Sequence, residues 1–170
     1  MGFGVIIAAV IFVSLLAVAT YLVAVSAIYT MDSLSGALDR ASEFNSERIM
    51  TSVRIANVSI LTNNTISVML NNTGSTKIYN LRHMDVFIHY TANETDEKLT
   101  ERLRYNSGGI SELQYDEWTC LNITPDAVNP GIFDPDECME ILLKVQDINR
   151  STGGWIKVVT PNGISSFKYF

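Results

Sequence analysis

The pattern asparagine–any residue–serine or threonine, which accepts N-linked glycans, occurs six times in this sequence. Chance placement of its 13 asparagines and 29 serines and threonines would give about two such sites. Acceptors of this kind carry sugars in segments exposed outside the cytoplasm. We therefore predict a glycosylated, extracytoplasmic domain, with the turn positions 71, 93 and 149 as the main acceptors. The six candidates are Asn57, Asn63, Asn71, Asn93, Asn122 and Asn149.

The only two cysteines, Cys120 and Cys138, flank a stretch rich in proline and aspartate within the predicted insertion 106–138. In an oxidising compartment a bond between them would close a loop of about 19 residues and stabilise the fold by roughly 3 kcal/mol. A disulfide is the prediction, and two free buried thiols are the alternative.

Residues suited to catalysis or metal binding are few. The two histidines, His83 and His89, fall on one predicted strand about 20 Å apart, too far to share a metal ion. Acidic runs at 116–117 and 134–137 could hold Ca²⁺ weakly, but a solvated acidic loop is the simpler interpretation. Phosphate-binding, zinc-protease, thiol-redox and serine-hydrolase motifs are missing from the sequence. We predict no metal, no cofactor and no enzymatic activity.

The charge balance excludes a general nucleic-acid binder. The chain has 12 basic and 18 acidic residues, for a net charge of −6. Binding to phosphate backbones needs clustered lysine and arginine. The charges also begin late, because residues 3–31 contain no Asp, Glu, Lys, Arg or His.

This uncharged run predicts a long apolar helix. About 20 helical residues cross a bilayer core of roughly 30 Å, and the run exceeds that length. It also lacks the basic start of a cleavable signal peptide. We predict a retained helix, in the membrane or in the core of a multi-subunit assembly, with its N-terminus inside the cell and the domain that follows outside. Small residues allow close helix–helix approach, and the candidates for packing are Ala9, Ala17 and Ala24.

Residues 32–54 extend the helix in amphipathic form. Apolar residues recur every three or four positions between Leu34 and Phe44, and charged residues fill the other faces. This stripe is expected to contact either the following domain or a neighbouring copy. Residues 1–54 are thus predicted to form one helix.

From about Thr51 the hydrophobic period changes from 3.6 to 2, which is typical of strands. Seven short strands with frequent turns predict an immunoglobulin-like antiparallel β-sandwich over residues 55–170, so the fold class is α+β. Residues 106–138 are interpreted as a long surface insertion. The predicted strands are 53–61, 65–70, 84–90, 98–105, 139–145, 155–160 and 165–170, the last two forming a hairpin.

Three stretches carry a family resemblance: the opening MGFGVIIAAVIF, the text around Asn-Thr-Gly-Ser at 72–75, and WIKVVTPNGIS at 155–165. They resemble the archaellum accessory proteins of the FlaF and FlaG family, within the archaellin and type IV pilin-like superfamily. Such proteins place an apolar helix in the membrane and a sandwich outside it. Pilins commonly carry an early acidic residue, whereas the first acid here is Asp32.

The resemblance implies a non-catalytic part of an archaeal surface filament system, anchoring the machine to membrane and cell envelope as a stator. The alternative is a structural filament subunit whose N-terminal helices form the filament core. Implied partners are copies of itself or other archaellum or pilus subunits, the membrane and the S-layer, with no nucleic acid. The implied location is the archaeal cell surface.

Overall fold

The computed structural model describes residues 2–170, in two compact units that meet between Asn45 and Ser46. The first element is one long helix, α1, spanning Gly2–Met50. It ends four residues before the predicted end, because the backbone at Val53 already belongs to a strand. The hydroxyls within its apolar part donate to backbone carbonyls three or four residues earlier, which satisfies these polar groups inside the helix. These hydroxyls belong to Ser14, Thr20, Ser26 and Thr30.

The remainder of the described chain contains eight strands and two short 3-10 segments. The strands are β1 (Val53–Thr62), β2 (Thr65–Asn72), β3 (Asp85–Thr91), β4 (Lys98–Tyr105), β5 (Glu117–Thr124), β6 (Cys138–Lys144), β7 (Trp155–Val159) and β8 (Ser165–Tyr169). All seven predicted strands are confirmed, and so is the terminal β7–β8 hairpin.

The strands follow the order β1-β2-β6-β5-β4-β3-β7-β8. Two antiparallel sheets, β1-β2-β6-β5 and β4-β3-β7-β8, are joined by a short parallel pairing between Tyr105 and Trp118 and their neighbours. At the other edge the backbone N–H of Ile55 donates to Ser166 Oγ at 3.1 Å, and Lys168 Nζ donates to the carbonyl of Ala56. The result is a nearly closed sandwich, which confirms the predicted fold class.

The core lies between the two sheets. Alternate residues of β2 (Ile66, Val68, Leu70) are fully buried and face the alternate residues of the other inner strands. This is the period-two pattern expected of strands with one face on a core. The inward side chains of the second sheet include Val86, Ile88, Ile156 and Val158.

The predicted insertion is wrong in its central part. Residues 117–124 form β5, an inner strand that pairs with β6 and joins the two sheets. Its Trp118 is fully buried and packs against Tyr105, with ring centroids 4.7 Å apart. The central part of the predicted insertion is therefore an inner strand of the sandwich, and residues 106–116 and 125–137 are the loops on either side of it.

The last turn of α1 is held by the loop after β2, within the unit Ser46–Phe170. The N–H groups of Thr73 and Gly74 donate to the carbonyl of Ser52 at 2.9 Å, and the N–H of Ser75 donates to the carbonyl of Met50 at 2.8 Å. A Cβ on Gly74 would lie 2.4 Å from the nitrogen of Ser52. The backbones approach so closely that only glycine fits at this position.

Candidate functional site

The first candidate surface is the apolar length of α1. By length and composition this helix could cross a membrane, with a mean hydropathy of 2.7 in its most apolar window. None of its side chains is buried within the described chain. Because exposed apolar surface costs about 25 cal/mol per Å² in water, this helix needs lipid or other helices around it.

The three predicted packing alanines share one flank of this helix. With 3.6 residues per turn, Ala17 and Ala24 lie about 80° and 60° around the axis from Ala9. All three are exposed. They thus form a narrow strip of small residues on which a neighbouring helix could approach closely.

The second candidate surface is the outer side of β1-β2-β6-β5, which we call the asparagine face because it carries Asn57, Asn71 and Asn122. The register places Asn57 opposite Met69, Met69 opposite Glu140, and Glu140 opposite Asn122. Asn57 Nδ2 donates to Ser59 Oγ, and Asn122 Nδ2 donates to Thr124 Oγ1, both at 2.9 Å. In both sequons the acceptor amide and the hydroxyl two residues later are therefore in contact.

The other sequons lie in loops. Asn63 and Asn93 are exposed, in the β1–β2 turn and after β3, and Asn149 is half-buried with its Nδ2 donating to Asp96 Oδ1 at 3.3 Å. The prediction of a turn at Asn71 is wrong, since this residue lies within β2 and is paired on both sides, with Arg54 and with Cys138.

The predicted bond between Cys120 and Cys138 is absent, and both thiols are free. Cys120 faces the core opposite Ile141, whereas Cys138 lies on the asparagine face opposite Asn71 and Thr124. The register also separates them by three residues along β6, about 10 Å. A disulfide requires Cα atoms within roughly 7 Å and Cβ atoms that face each other, so this register excludes it.

We expect native protein to yield two alkylatable thiols, with Cys138 reacting much faster than Cys120. Burial raises the pKa of the Cys120 thiol to about 11, so little reactive thiolate is present at neutral pH. Peptide mapping after timed alkylation under non-reducing conditions checks this. A peptide pair linked through both cysteines would contradict the observed register.

The acidic run 134–137 is not the solvated loop that the sequence predicts. Asp134 and Glu137 are both buried, and the N–H of Asp134 donates to Glu137 Oε2 at 2.8 Å. Asn129 Nδ2 donates to Asp134 Oδ2, and Lys77 Nζ lies 3.8 Å from Asp134 Oδ1. These carboxylates brace the loop before β6. Within residues 2–170, no group of three or more His, Cys, Asp or Glu is placed to hold a metal ion.

The carboxyl group of Glu101, on β4, faces the core and has a shifted pKa. Tyr90 is fully buried, and its hydroxyl donates to Glu101 Oε2 at 3.2 Å. Burial, and next the negative charge of Asp116, raise the pKa of Glu101. The folded protein therefore binds this proton more tightly than the unfolded chain does. Its contribution to stability is present at low pH and is lost as the pH rises above the unfolded value of 4.5.

Glu101→Gln should therefore flatten the decline of stability between about pH 4.5 and pH 7, since glutamine can still accept the Tyr90 hydrogen bond and carries no charge. Denaturation midpoints across this range check the prediction. Glu94→Gln, at an exposed loop position, is the matched control. Parallel pH profiles for the wild type and Glu101→Gln would refute this account.

The third candidate surface is the outer side of β4-β3-β7-β8, which we call the ring face. One cross-strand row runs Thr100, His89, Trp155, Tyr169, and the next runs Arg102, Phe87, Lys157, Phe167. His89 and Trp155 stack with centroids 5.6 Å apart and an interplanar angle of 15°. A cavity of about 670 Å³ opens at the end of this face, beside Asp96, Lys98 and Trp155.

These features define a class: a long apolar helix followed by a β-sandwich whose two sheets each have a solvent-exposed outer side. The chain belongs to the archaeal-type flagellin family, whose model matches residues 2–169. Searching the curated proteins found none that matches this chain.

Two solved structures from Sulfolobus acidocaldarius are similar in fold. The archaellum periplasmic stator protein FlaG is 23% identical with a TM-score of 0.53, covering 71% of this chain and 99% of that one. The archaellum periplasmic stator protein complex of FlaF and FlaG is 23% identical with a TM-score of 0.52, covering 69% of this chain and 87% of that one. Both similar structures are of archaellum stator proteins, and at 23% identity they show that this chain shares their fold.

Proposed function

We propose that this protein is a non-catalytic stator of an archaeal surface filament, held in the membrane by α1 and reaching the cell envelope with its sandwich. The observation that carries this proposal is the uncharged run of residues 3–31. At 1.5 Å per residue the run is about 43 Å long, the thickness of a bilayer with its headgroup regions.

The absence of an early acid in the sequence favours a membrane anchor over a filament core. Every charged residue lies from Asp32 onward, so the apolar run offers no ion pair to fix the register of copies against one another. A charge near the bilayer centre would cost several kcal/mol, and this helix avoids that cost entirely. Other archaellum subunits are the proposed partners, since a similar stator protein is solved as a complex of FlaF and FlaG.

The second candidate is a filament subunit, and the strip of Ala9, Ala17 and Ala24 favours it. Small residues on one flank suit helix packing in a bundle. Leucine at these positions remains apolar, so lipid would tolerate it, whereas a close helix–helix contact would not.

The deciding experiment replaces Ala9, Ala17 and Ala24 by leucine, singly and together, in cells that assemble the filament. Ala8→Leu and Ala19→Leu, which lie about 100° and 80° around the axis from Ala9 in the other direction, are matched controls. For a stator we expect all variants in the membrane fraction at wild-type levels, filaments of normal length, and this chain missing from purified filaments. The chain as a major filament component, with assembly lost only in the first set, would establish the filament subunit and overturn the stator.

We also propose that the sandwich lies outside the membrane and carries glycans at several of the six sequons, with Asn57, Asn63, Asn93 and Asn122 favoured by exposure. An S-layer contact of the sandwich belongs to the same proposal. Intact mass of protein from native cells tests the glycans: excess mass that falls stepwise with Asn→Gln changes supports them. The bare polypeptide mass would overturn them without affecting the membrane test.

A further inference from the structure

The cavity at the end of the ring face has an aromatic wall and a polar rim. Its volume of about 670 Å³ lies within the range of roughly 300–1,000 Å³ that is common for ligand sites. His89 and Trp155 stack in its wall, and Tyr169, paired with Trp155 across the strands, continues the row. The polar side chains of the lining are Thr91, Asp96, Lys98 and Thr152. Sugars match such a lining, because their C–H groups pack on aromatic rings while their hydroxyls bond to carboxylate, ammonium and hydroxyl groups.

One of the six sequons is built into the rim of this cavity. Asn149 contacts three of the lining residues: its backbone N–H donates to the carbonyl of Thr91 at 2.9 Å, its Nδ2 donates to Asp96 Oδ1 at 3.3 Å, and its carbonyl accepts a bond from Thr152 Oγ1 at 3.0 Å. The N–H of Ser151 donates to Asn149 Oδ1 at 3.0 Å, so both ends of the side-chain amide are held. A sugar attached to Nδ2 therefore starts at the edge of the cavity.

The amide of Asn149 can keep its bond to Asp96 and still carry a glycan. Nδ2 has two hydrogens, and the bond to Asp96 uses one of them. Glycosylation replaces the other: the bond from Nδ2 to C1 of the first sugar forms, the bond from C1 to the phosphate of a lipid-linked sugar donor breaks, and Nδ2 loses one proton. The first sugar is then held beside Asp96, which lines the cavity together with Lys98 and Trp155.

We propose that the glycan on Asn149 folds back into this cavity and packs against the row of His89, Trp155 and Tyr169. Attachment makes the contact intramolecular, with an effective concentration of about a millimolar, so weak stacking and a few hydrogen bonds are enough to hold the sugars in place. A free sugar or a partner protein has no such advantage. Docking would also cover aromatic surface that otherwise faces water, since Tyr169 is 70% exposed. The inference rests on the proposed glycosylation and deepens it, because it gives the sugars of one sequon a defined place.

The test measures how fast the exposed Lys98 is acylated by a water-soluble active ester in the full chain purified from native cells. Peptide mass spectrometry reads the rate, and glycopeptide mapping of the same sample reads the occupancy of Asn149. Ser151→Ala removes the sequon but keeps Asn149 and its contacts. We expect Lys98 to react roughly fivefold more slowly in the glycosylated wild type than in Ser151→Ala, a ratio that one aromatic contact and one hydrogen bond can sustain. Ser59→Ala, which removes the Asn57 sequon on the asparagine face, is the matched control and should leave the slow rate unchanged.

The aromatic wall provides the second arm. Trp155→Ala should release the glycan from the cavity while it stays attached, so that Lys98 reacts as fast as in Ser151→Ala. Trp155→Phe retains an aromatic ring in the wall and should keep the slow rate. Lys77, which lies outside the cavity, is the internal reference and should react at one rate in all variants.

Failure of this inference can be told apart from failure of the proposed glycosylation. A glycan on Asn149 with equal Lys98 rates in the wild type and Ser151→Ala overturns the inference alone, and so does a slow rate that survives Trp155→Ala. Glycans on other sequons with none on Asn149 also overturn the inference alone. The bare polypeptide mass in native protein overturns both.

Discussion

Trp118→Ala is expected to destabilise the sandwich by about 3–5 kcal/mol, the cost of deleting a large buried aromatic side chain. Trp118 is fully buried on β5, where the two sheets are joined by only two residue pairs. Its ring packs at 61° against Tyr105 with a centroid distance of 4.7 Å. The cavity left by alanine would open at this junction, so both sheets should lose stability and unfold together. Chemical denaturation of the full chain in detergent, followed by near-UV circular dichroism, checks this.

Trp118→Phe is the informative companion variant. The indole Nε1 is buried and has no hydrogen-bond partner among residues 2–170, and an unpaired buried donor is itself costly. Phenylalanine removes that donor while keeping most of the ring, so the loss should be much smaller than for alanine. Equal losses for the two variants, or a loss under about 1 kcal/mol for alanine, would contradict the junction role.

Gly74→Ala is expected to cost about 1–3 kcal/mol, the range for forced overpacking. The added Cβ would lie 2.4 Å from the Ser52 nitrogen and 2.6 Å from the Met50 carbonyl oxygen. Backbone atoms cannot rotate away, so the loop must move. The hydrogen bonds from Gly74 to Ser52 and from Ser75 to Met50 would lengthen or break. The last turn of α1 would then lose its tether to the sandwich.

Hydrogen exchange, followed residue by residue, locates the effect of Gly74→Ala in the structure. We expect faster exchange at residues 73–75 in Gly74→Ala, with the second sheet unchanged. Gly36→Ala is the matched control, since a Cβ there meets nothing within 4 Å and alanine favours a helix by about 1 kcal/mol. A Gly74→Ala protein with wild-type stability and exchange would show that the close approach imposes no constraint.

The local pattern of residue types along the sequence was enough to predict the N-terminal helix and seven of the strands. An uncharged run of 29 residues, 3–31, predicts an apolar helix from composition alone, because no other arrangement satisfies its backbone away from water. The seven predicted strands follow from period-two alternation, which a strand with one buried face imposes on its own residues. The family resemblance was carried by the apolar opening residues and by the short Asn-Thr-Gly-Ser and Thr-Pro-Asn-Gly stretches.

The tertiary structure decided what depends on pairing between distant segments. β5 escaped prediction because a bulge between Cys120 and Asn122 breaks its alternation, and because turn-forming residues surround it. The same register turns Cys120 inward and Cys138 outward, which spacing along the chain cannot reveal. The order β1-β2-β6-β5 also brings Asn57, Asn71 and Asn122 onto one face, although 65 positions separate the first from the last. Alternation assigns a side chain to one of two sides, but only strand order and register decide which neighbours share that side.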